Sequence, residues 1–157
     1  MTQRLFGTAS CRRILVGAAL AAAIAGTAHA QGARQVFASP DLADLPYSAA
    51  VRAGDTIYVS GVTGHARGSR QPVEGGVRAE AEQALGYIQE ILQLAGSSMQ
   101  NVAKCTVLLA DINGFPDLNA AYRKFFPHEP PARSTIIVPA LPNGSLVEIE
   151  CNALAGG

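Results

Sequence analysis

A chain of 157 residues with twelve basic and twelve acidic side chains, 48% hydrophobic and 15% charged, suits one globular domain around one core. With no basic excess and no arginine-rich run, nucleic acid is excluded as an expected partner. No repeat or low-complexity linker divides the sequence.

Residues 1–30 read as a secretory signal peptide. Arg4, Arg12 and Arg13 form a positive leader, and no acidic residue precedes Asp41. Residues 14–25 are apolar but short for a membrane span, and Ala28-His29-Ala30 supplies the small residues of a cleavage site. The alternative is a buried alanine-rich helix or a retained anchor. Arg12-Arg13 raises the twin-arginine export route, although Ile14-Leu15-Val16 fits its usual sequel poorly. Cleavage after Ala30 leaves nine basic against twelve acidic residues, a net charge of −3. The mature protein is then expected in the periplasm, with no membrane association once the leader is gone.

Cys11 departs with the leader, leaving Cys105 and Cys151, 46 positions apart. They can pair in an oxidising compartment or remain two buried thiols; their places inside apparent strands favour the thiols. There is no Cys-x-x-Cys pair and no metal-like spacing. His65 and His128 stand alone and read as solvated loop residues.

Residues 31–44 form a polar, poorly ordered lead-in, and residues 45–157 form the domain. Residues 47–51 and 56–62 are rich in β-formers and flank Ala53-Gly54-Asp55, which predicts a hairpin. A loop rich in glycine and arginine occupies residues 64–76. Val77, Ala81, Ala84, Leu85, Ile88, Ile91, Leu92 and Ala95 then recur at helical spacing, with Gly96 as C-terminal cap. Arg78, Glu82, Gln89 and Gln93 form the wet face of that helix.

Residues 102–109 read as a strand buried on both sides. Residues 116–126 form a second helix, Pro116 lying in its first turn and Leu118, Tyr122, Phe125 and Phe126 on its inner stripe. Residues 133–138 and 146–154 are two closing strands joined by Leu141-Pro142-Asn143-Gly144. Two helices on one face of a mixed sheet give an α+β layer pair. The other face has no helix to cover it, which predicts burial against partner subunits.

Arg133 stands where a strand begins, between Pro131 and the apolar run Ile136-Ile137-Val138, and its planar fork can grip a carboxylate through two parallel bonds. In residues 146–151 the side chains alternate, placing Glu148 and Glu150 opposite Val147, Ile149 and Cys151. Such carboxylates either face water or, beside a cleft, position and deprotonate it. Ser60 and Gly61 offer a hydroxyl and a close backbone approach at a strand end, and Tyr47 a ring and a phenol.

Pro46-Tyr47-Ser48, Ile57-Tyr58-Val59-Ser60-Gly61, the run from Asn101 to Asp111, Asn119-Ala120-Ala121-Tyr122, Pro131-Ala132-Arg133-Ser134 and Val147-Glu148-Ile149-Glu150 fall in the order and spacing of the RidA/YjgF family. The chain resembles that family from Pro46 to about Leu154. The resemblance implies a chorismate-mutase-like fold, assembled as a homotrimer with its sheets packed inward and clefts between subunits. It implies hydrolysis of 2-imino or enamine acids, of the 2-aminoacrylate or 2-iminobutanoate type, to 2-keto acids and ammonia, with no metal and no organic cofactor. By position, Arg133 would hold the substrate carboxylate and Glu148 would position the attacking water. Tyr47, Ser60, Gly61, Asn119, Ser134 and Thr135 would line the substrate site. Val62, Ala49 and Thr135 depart from the usual pattern and alter cleft polarity, so substrate identity is less constrained than reaction class. A non-catalytic carboxylate binder or chaperone-like protein on the same fold is the competing reading, and a hydrolase for another aminoacrylate-like or aminomuconate-like substrate is a third.

Overall fold

Eight regular elements carry the chain, described by the computed structural model over residues 34–39 and 45–156. The expected leader lies outside the described residues. In chain order the elements are β1 (Gln35–Phe37), β2 (Ala50–Ala53), β3 (Thr56–Thr63), α1 (Gly76–Leu94), β4 (Val102–Leu109), α2 (Phe115–Phe125), β5 (Ala132–Ile137) and β6 (Val147–Leu154). Short 3-10 turns at Met99–Asn101, Ile112–Gly114 and Pro142–Gly144 join them. They form one six-stranded sheet in the order β1-β2-β3-β6-β4-β5. Only the β4–β5 pair is parallel. That crossover is made by α2, since parallel neighbours need a long connection.

The helices end where their sequences dictate. Gly96, at φ 76°, reverses the chain after α1, and the N–H groups of Gly96 and Ser97 return to the carbonyls of Gln93 and Leu92 at 3.1 and 2.8 Å. That closes the last turn, as expected of a glycine just past a helix. Asp117 in the first turn of α2 and Arg123 and Lys124 in its last complement the helix dipole.

Two differences from the sequence reading appear at the amino-terminal side. Gln35–Phe37, inside the segment read as a lead-in, pairs antiparallel with β2 as an edge strand. The first hairpin strand begins at Ala50, because residues 45–49 bend before entering the sheet. Burial on β4 also differs. Cys105, Val107 and Leu109 are buried beneath the helices, whereas Thr106 and Leu108 are only half-buried on the opposite face. That opposite face carries Tyr58, Ile136 and Leu154, each about half exposed. Among the described residues both helices lie on one face, and none covers the other, which is partly apolar.

Cys105 and Cys151 are directly opposite on β4 and β6 and are joined in a disulfide. The preference for two separate thiols is therefore corrected: register, which the sequence does not display, puts the sulfurs side by side. The half-cystines sit in the centre of the core, each about 1% exposed.

Glu80, on α1, is a buried carboxylate, 2% exposed. Its Oε2 accepts the N–H of Leu146 at 2.8 Å, and its carboxylate also accepts from the N–H of Val147. It fastens α1 to the start of β6. Burial raises its pKa, and the two backbone donors pull it part of the way back. Glu80→Ala leaves those donors without a partner and is expected to cost about 3 kcal/mol in chemical unfolding. A raised native pKa means that the folded state holds the proton more tightly. Stability from this linkage is full below the unfolded carboxylate pKa and is lost as pH rises through the native one. The advantage of wild type over Glu80→Gln is therefore expected to shrink as pH rises from the ordinary carboxylate range through the raised native pKa, in urea unfolding followed across pH.

Candidate functional site

The sequence-predicted residues gather into two groups that one chain does not bring together. The first surrounds Arg133 on β5. Arg133 is in register with Cys105 on the parallel neighbour β4, so its side chain leaves the sheet on the helix side. There α2 presents Phe115, Asn119 and Tyr122 at helical spacing, all facing β5. Nη2 of Arg133 donates to Oδ1 of Asn119 at 2.7 Å. The guanidinium carbon lies 4.6 Å from the Tyr122 ring centroid and 5.4 Å from that of Phe115. An amide and two aromatic faces thus orient the fork through one hydrogen bond and cation–π contact. Among the described residues its remaining N–H donors are not engaged, which suits a carboxylate.

Tyr122 is buried and its phenol pKa is raised by burial, partly offset by the Arg133 charge. Its hydroxyl is neutral and has no hydrogen-bond partner among the described residues. Thr135 shares this face, two positions along β5. Ser134 points the other way, where its Oγ accepts from Nζ of Lys104 at 2.7 Å.

The second group lines a cleft of about 980 Å³ and includes Tyr47, Ser60, Gly61 and Glu148. Between Val59 and Val62 the pairing of β3 with β6 shifts register, so two residues on β3 stand where regular alternation allows one. This bulge delivers both Ser60 and Gly61 to the cleft. Gly61 lets the Glu148 carboxylate lie against the strand: a Cβ there would push that carboxylate out of its place. The Ser60 hydroxyl donates to the Ser48 carbonyl at 2.7 Å, and the Ser60 N–H donates to the Ala49 carbonyl at 3.0 Å. Ser60 thereby holds the bend carrying Tyr47, and only its lone pairs face a ligand. Burial raises the pKa of Glu148, and the charge of Glu150 raises it further. Its carboxylate is accordingly a stronger base than an exposed one.

Glu148 is in register with Leu108, on the face opposite Cys105 and Arg133. Arg133 and Glu148 of one chain therefore project from opposite faces of the sheet. The cleft also has walls that sequence reading missed. Tyr87 of α1 stacks on His65, centroids 4.7 Å apart, and its hydroxyl donates to the His65 carbonyl at 3.0 Å. His65 is thus half-buried against a helix and not a freely solvated loop residue. The shelf under Arg133 was legible in part, because positions 115, 119 and 122 fall on one helical face.

A family model described as Endoribonuclease L-PSP matches residues 38–155. The human 2-iminobutanoate/2-iminopropanoate deaminase is 50% identical over 111 residues, covering 71% of this chain and 81% of that one. Among solved structures, the yjgF gene product of Escherichia coli superposes with a TM-score of 0.71 at 31% identity, over 76% of this chain and 98% of that chain. RidA from an Antarctic Psychrobacter gives 0.70 at 35% identity, over 76% and 99%.

Proposed function

The chain belongs to the RidA/YjgF family, and from that premise we propose that it hydrolyses reactive 2-imino and enamine acids of the 2-aminoacrylate or 2-iminobutanoate type to 2-keto acids and ammonia. The observation that carries the reading is the oriented guanidinium of Arg133, held by Asn119 and Tyr122 with donors to spare. A protonated imine carbon is already electrophilic, so the site has to fix the substrate and place a water. Arg133 takes the α-carboxylate. Glu148 accepts a proton from the water as it attacks, and ammonia leaves from the tetrahedral carbinolamine.

Because Arg133 and Glu148 diverge within one chain, the working site lies between subunits. Arg133 from the β5 edge of one protomer meets the Tyr47–Glu148 cleft of the next. The open sheet face with Tyr58, Ile136 and Leu154 supports a homotrimer packed on that face. Light scattering on the mature protein is expected to return three times the protomer mass. Glu148 and Glu150 side by side disfavour a phosphate backbone, so a small acid fits this cleft better than RNA. Export to the periplasm is part of the proposal, and the disulfide between Cys105 and Cys151 supports an oxidising compartment.

The direct test supplies the mature protein with an imino acid generated by an amino-acid oxidase and follows loss of the imine. Hydrolysis faster than the spontaneous reaction is expected; an unchanged rate rejects the proposal. Binding of keto acids without turnover would favour the competing carboxylate-binder reading.

The pH profile gives a second check. Glu148 works as the carboxylate, and its pKa is raised, so catalysis fails on acidification at a higher pH than an ordinary carboxylate would impose. Glu150→Gln removes the neighbouring negative charge and is expected to move the acid limb of kcat/KM to lower pH. A limb that stays in place would remove Glu148 from the proton-transfer role.

A further inference from the structure

The segment before α1 is a small folded hairpin. Val73 N–H donates to the Gly64 carbonyl at 2.9 Å and Ala66 N–H to the Gln71 carbonyl at 3.0 Å, while His65 bridges Pro72. Ser69 accepts the Gln71 N–H at 3.0 Å across the tip. Three ties hold the hairpin to α1: the His65–Tyr87 stack, the Tyr87 hydroxyl on the His65 carbonyl, and Arg67, which pairs with Glu90 and lies 5.1 Å over the Tyr87 ring. Arg67 is thus committed to the scaffold. Arg70, at the same tip, lines the cleft that Tyr47 and Glu148 also line, and among the described residues it makes no ion pair, with Glu148 or with any other carboxylate.

We propose that Arg70 forms a second anion-binding position in this cleft, selecting 2-imino acids whose side chain ends in a carboxylate. The inference rests on the deaminase reading and specifies its substrate class. Glu148 and Arg70 line the same cleft, so a substrate whose reacting carbon sits at Glu148 shares that cleft with the Arg70 guanidinium. A substrate anchored by its α-carboxylate on the neighbouring protomer's Arg133 has its side chain free to run along the cleft. A hydrocarbon tail gains little beside a guanidinium, whereas a terminal carboxylate gains a charge-assisted bond. Glu148 faces the reacting carbon, and the hairpin supplies the opposite sign of charge to receive the tail.

The experiment compares imino acids generated in situ from aspartate and glutamate with those from alanine and 2-aminobutyrate, on wild type, Arg70→Ala and Arg70→Lys. Arg70→Ala is expected to lower kcat/KM for the dicarboxylic imines about tenfold and to change the monocarboxylic ones by less than about twofold, with Arg70→Lys recovering part of the loss. Equal losses on both classes, or no preference for the dicarboxylic imines in wild type, would overturn the assignment. Calorimetric binding of 2-oxoglutarate against 2-oxobutanoate separates the two readings. Arg70-dependent binding of the diacid by a protein that turns over no imine would sink the deaminase reading and keep the subsite. Turnover with no Arg70-dependent discrimination in either assay would do the reverse.

Discussion

Replacing Arg133 by alanine is expected to lower kcat/KM for any 2-imino acid about a thousandfold, close to the spontaneous rate. A sheltered pair between a guanidinium fork and a carboxylate, lost on one side, costs about 4 kcal/mol in the transition state. In the proposed reaction the same bond fixes the imine carbon before Glu148, so the loss is expected on kcat as well as KM. Arg133→Lys keeps the charge but not the planar fork and is expected to recover no more than about one tenth of wild-type activity. The fold should survive, because Arg133 is half-buried on an edge strand and its hydrogen bond goes to a single side chain, Asn119. An unchanged melting temperature with abolished turnover is the expected pair of readings.

Subunit mixing sharpens this expectation. Arg133→Ala and Glu148→Gln proteins, each inactive alone, are unfolded and refolded together. If each site draws Arg133 and Glu148 from different protomers, random assortment rebuilds about a quarter of the sites. Activity near that fraction would establish the shared cleft. A mixture as inactive as its parents would show that the two groups work within one chain, against the opposed faces seen on β5 and β6.

The parts of this fold that sequence reveals are those governed by local periodicity. The apolar recurrence from Val77 to Ala95 marks α1, and Gly96 marks its end, because both signals act within a turn or two. The alternation of Val147, Ile149 and Cys151 marks β6 for the same reason. Gln35–Phe37 escaped because three residues on a sheet edge, largely exposed, carry no alternation that differs from a loop. Pairing and register are set by tertiary contact. Nothing in the spacing of Cys105 and Cys151 shows that β6 inserts between β3 and β4 in a register that opposes them. Glu80 sits at the border of the α1 stripe, and only its place beneath the start of β6 gives it a role. The site divides along the same line. Arg133, Glu148, Tyr47, Ser60, Gly61 and Asn119 were all named as candidates through family resemblance, whereas the bulge that aims Ser60 and Gly61 depends on the β3–β6 register.

The disulfide supplies the largest expected effect on stability. It closes a loop with a sequence separation of 46 residues. Constraining the unfolded chain over that span stabilises the native state by about 4 kcal/mol. The Cys105→Ser, Cys151→Ser double variant is therefore expected to melt about 15 °C lower than wild type at equal protein concentration, the usual sensitivity for a domain of this size. Concentration has to be matched, since the proposed association with partner subunits would add its own stabilisation. The double variant is the proper comparison, because a single serine leaves an unpaired thiol beside a polar hydroxyl in the core. Reduction of wild type under denaturing conditions should release two thiols from the mature chain that were unreactive beforehand. Two reactive thiols before reduction, or a double variant that melts with wild type, would remove the cross-link from the account. Activity at low temperature separates this role from catalysis. Although Cys105 is the registered neighbour of Arg133, the hydrogen bond and ring contacts that hold Arg133 come from Asn119 and Tyr122 of α2 and not from the cystine, so turnover by the folded double variant should stay within about twofold of wild type.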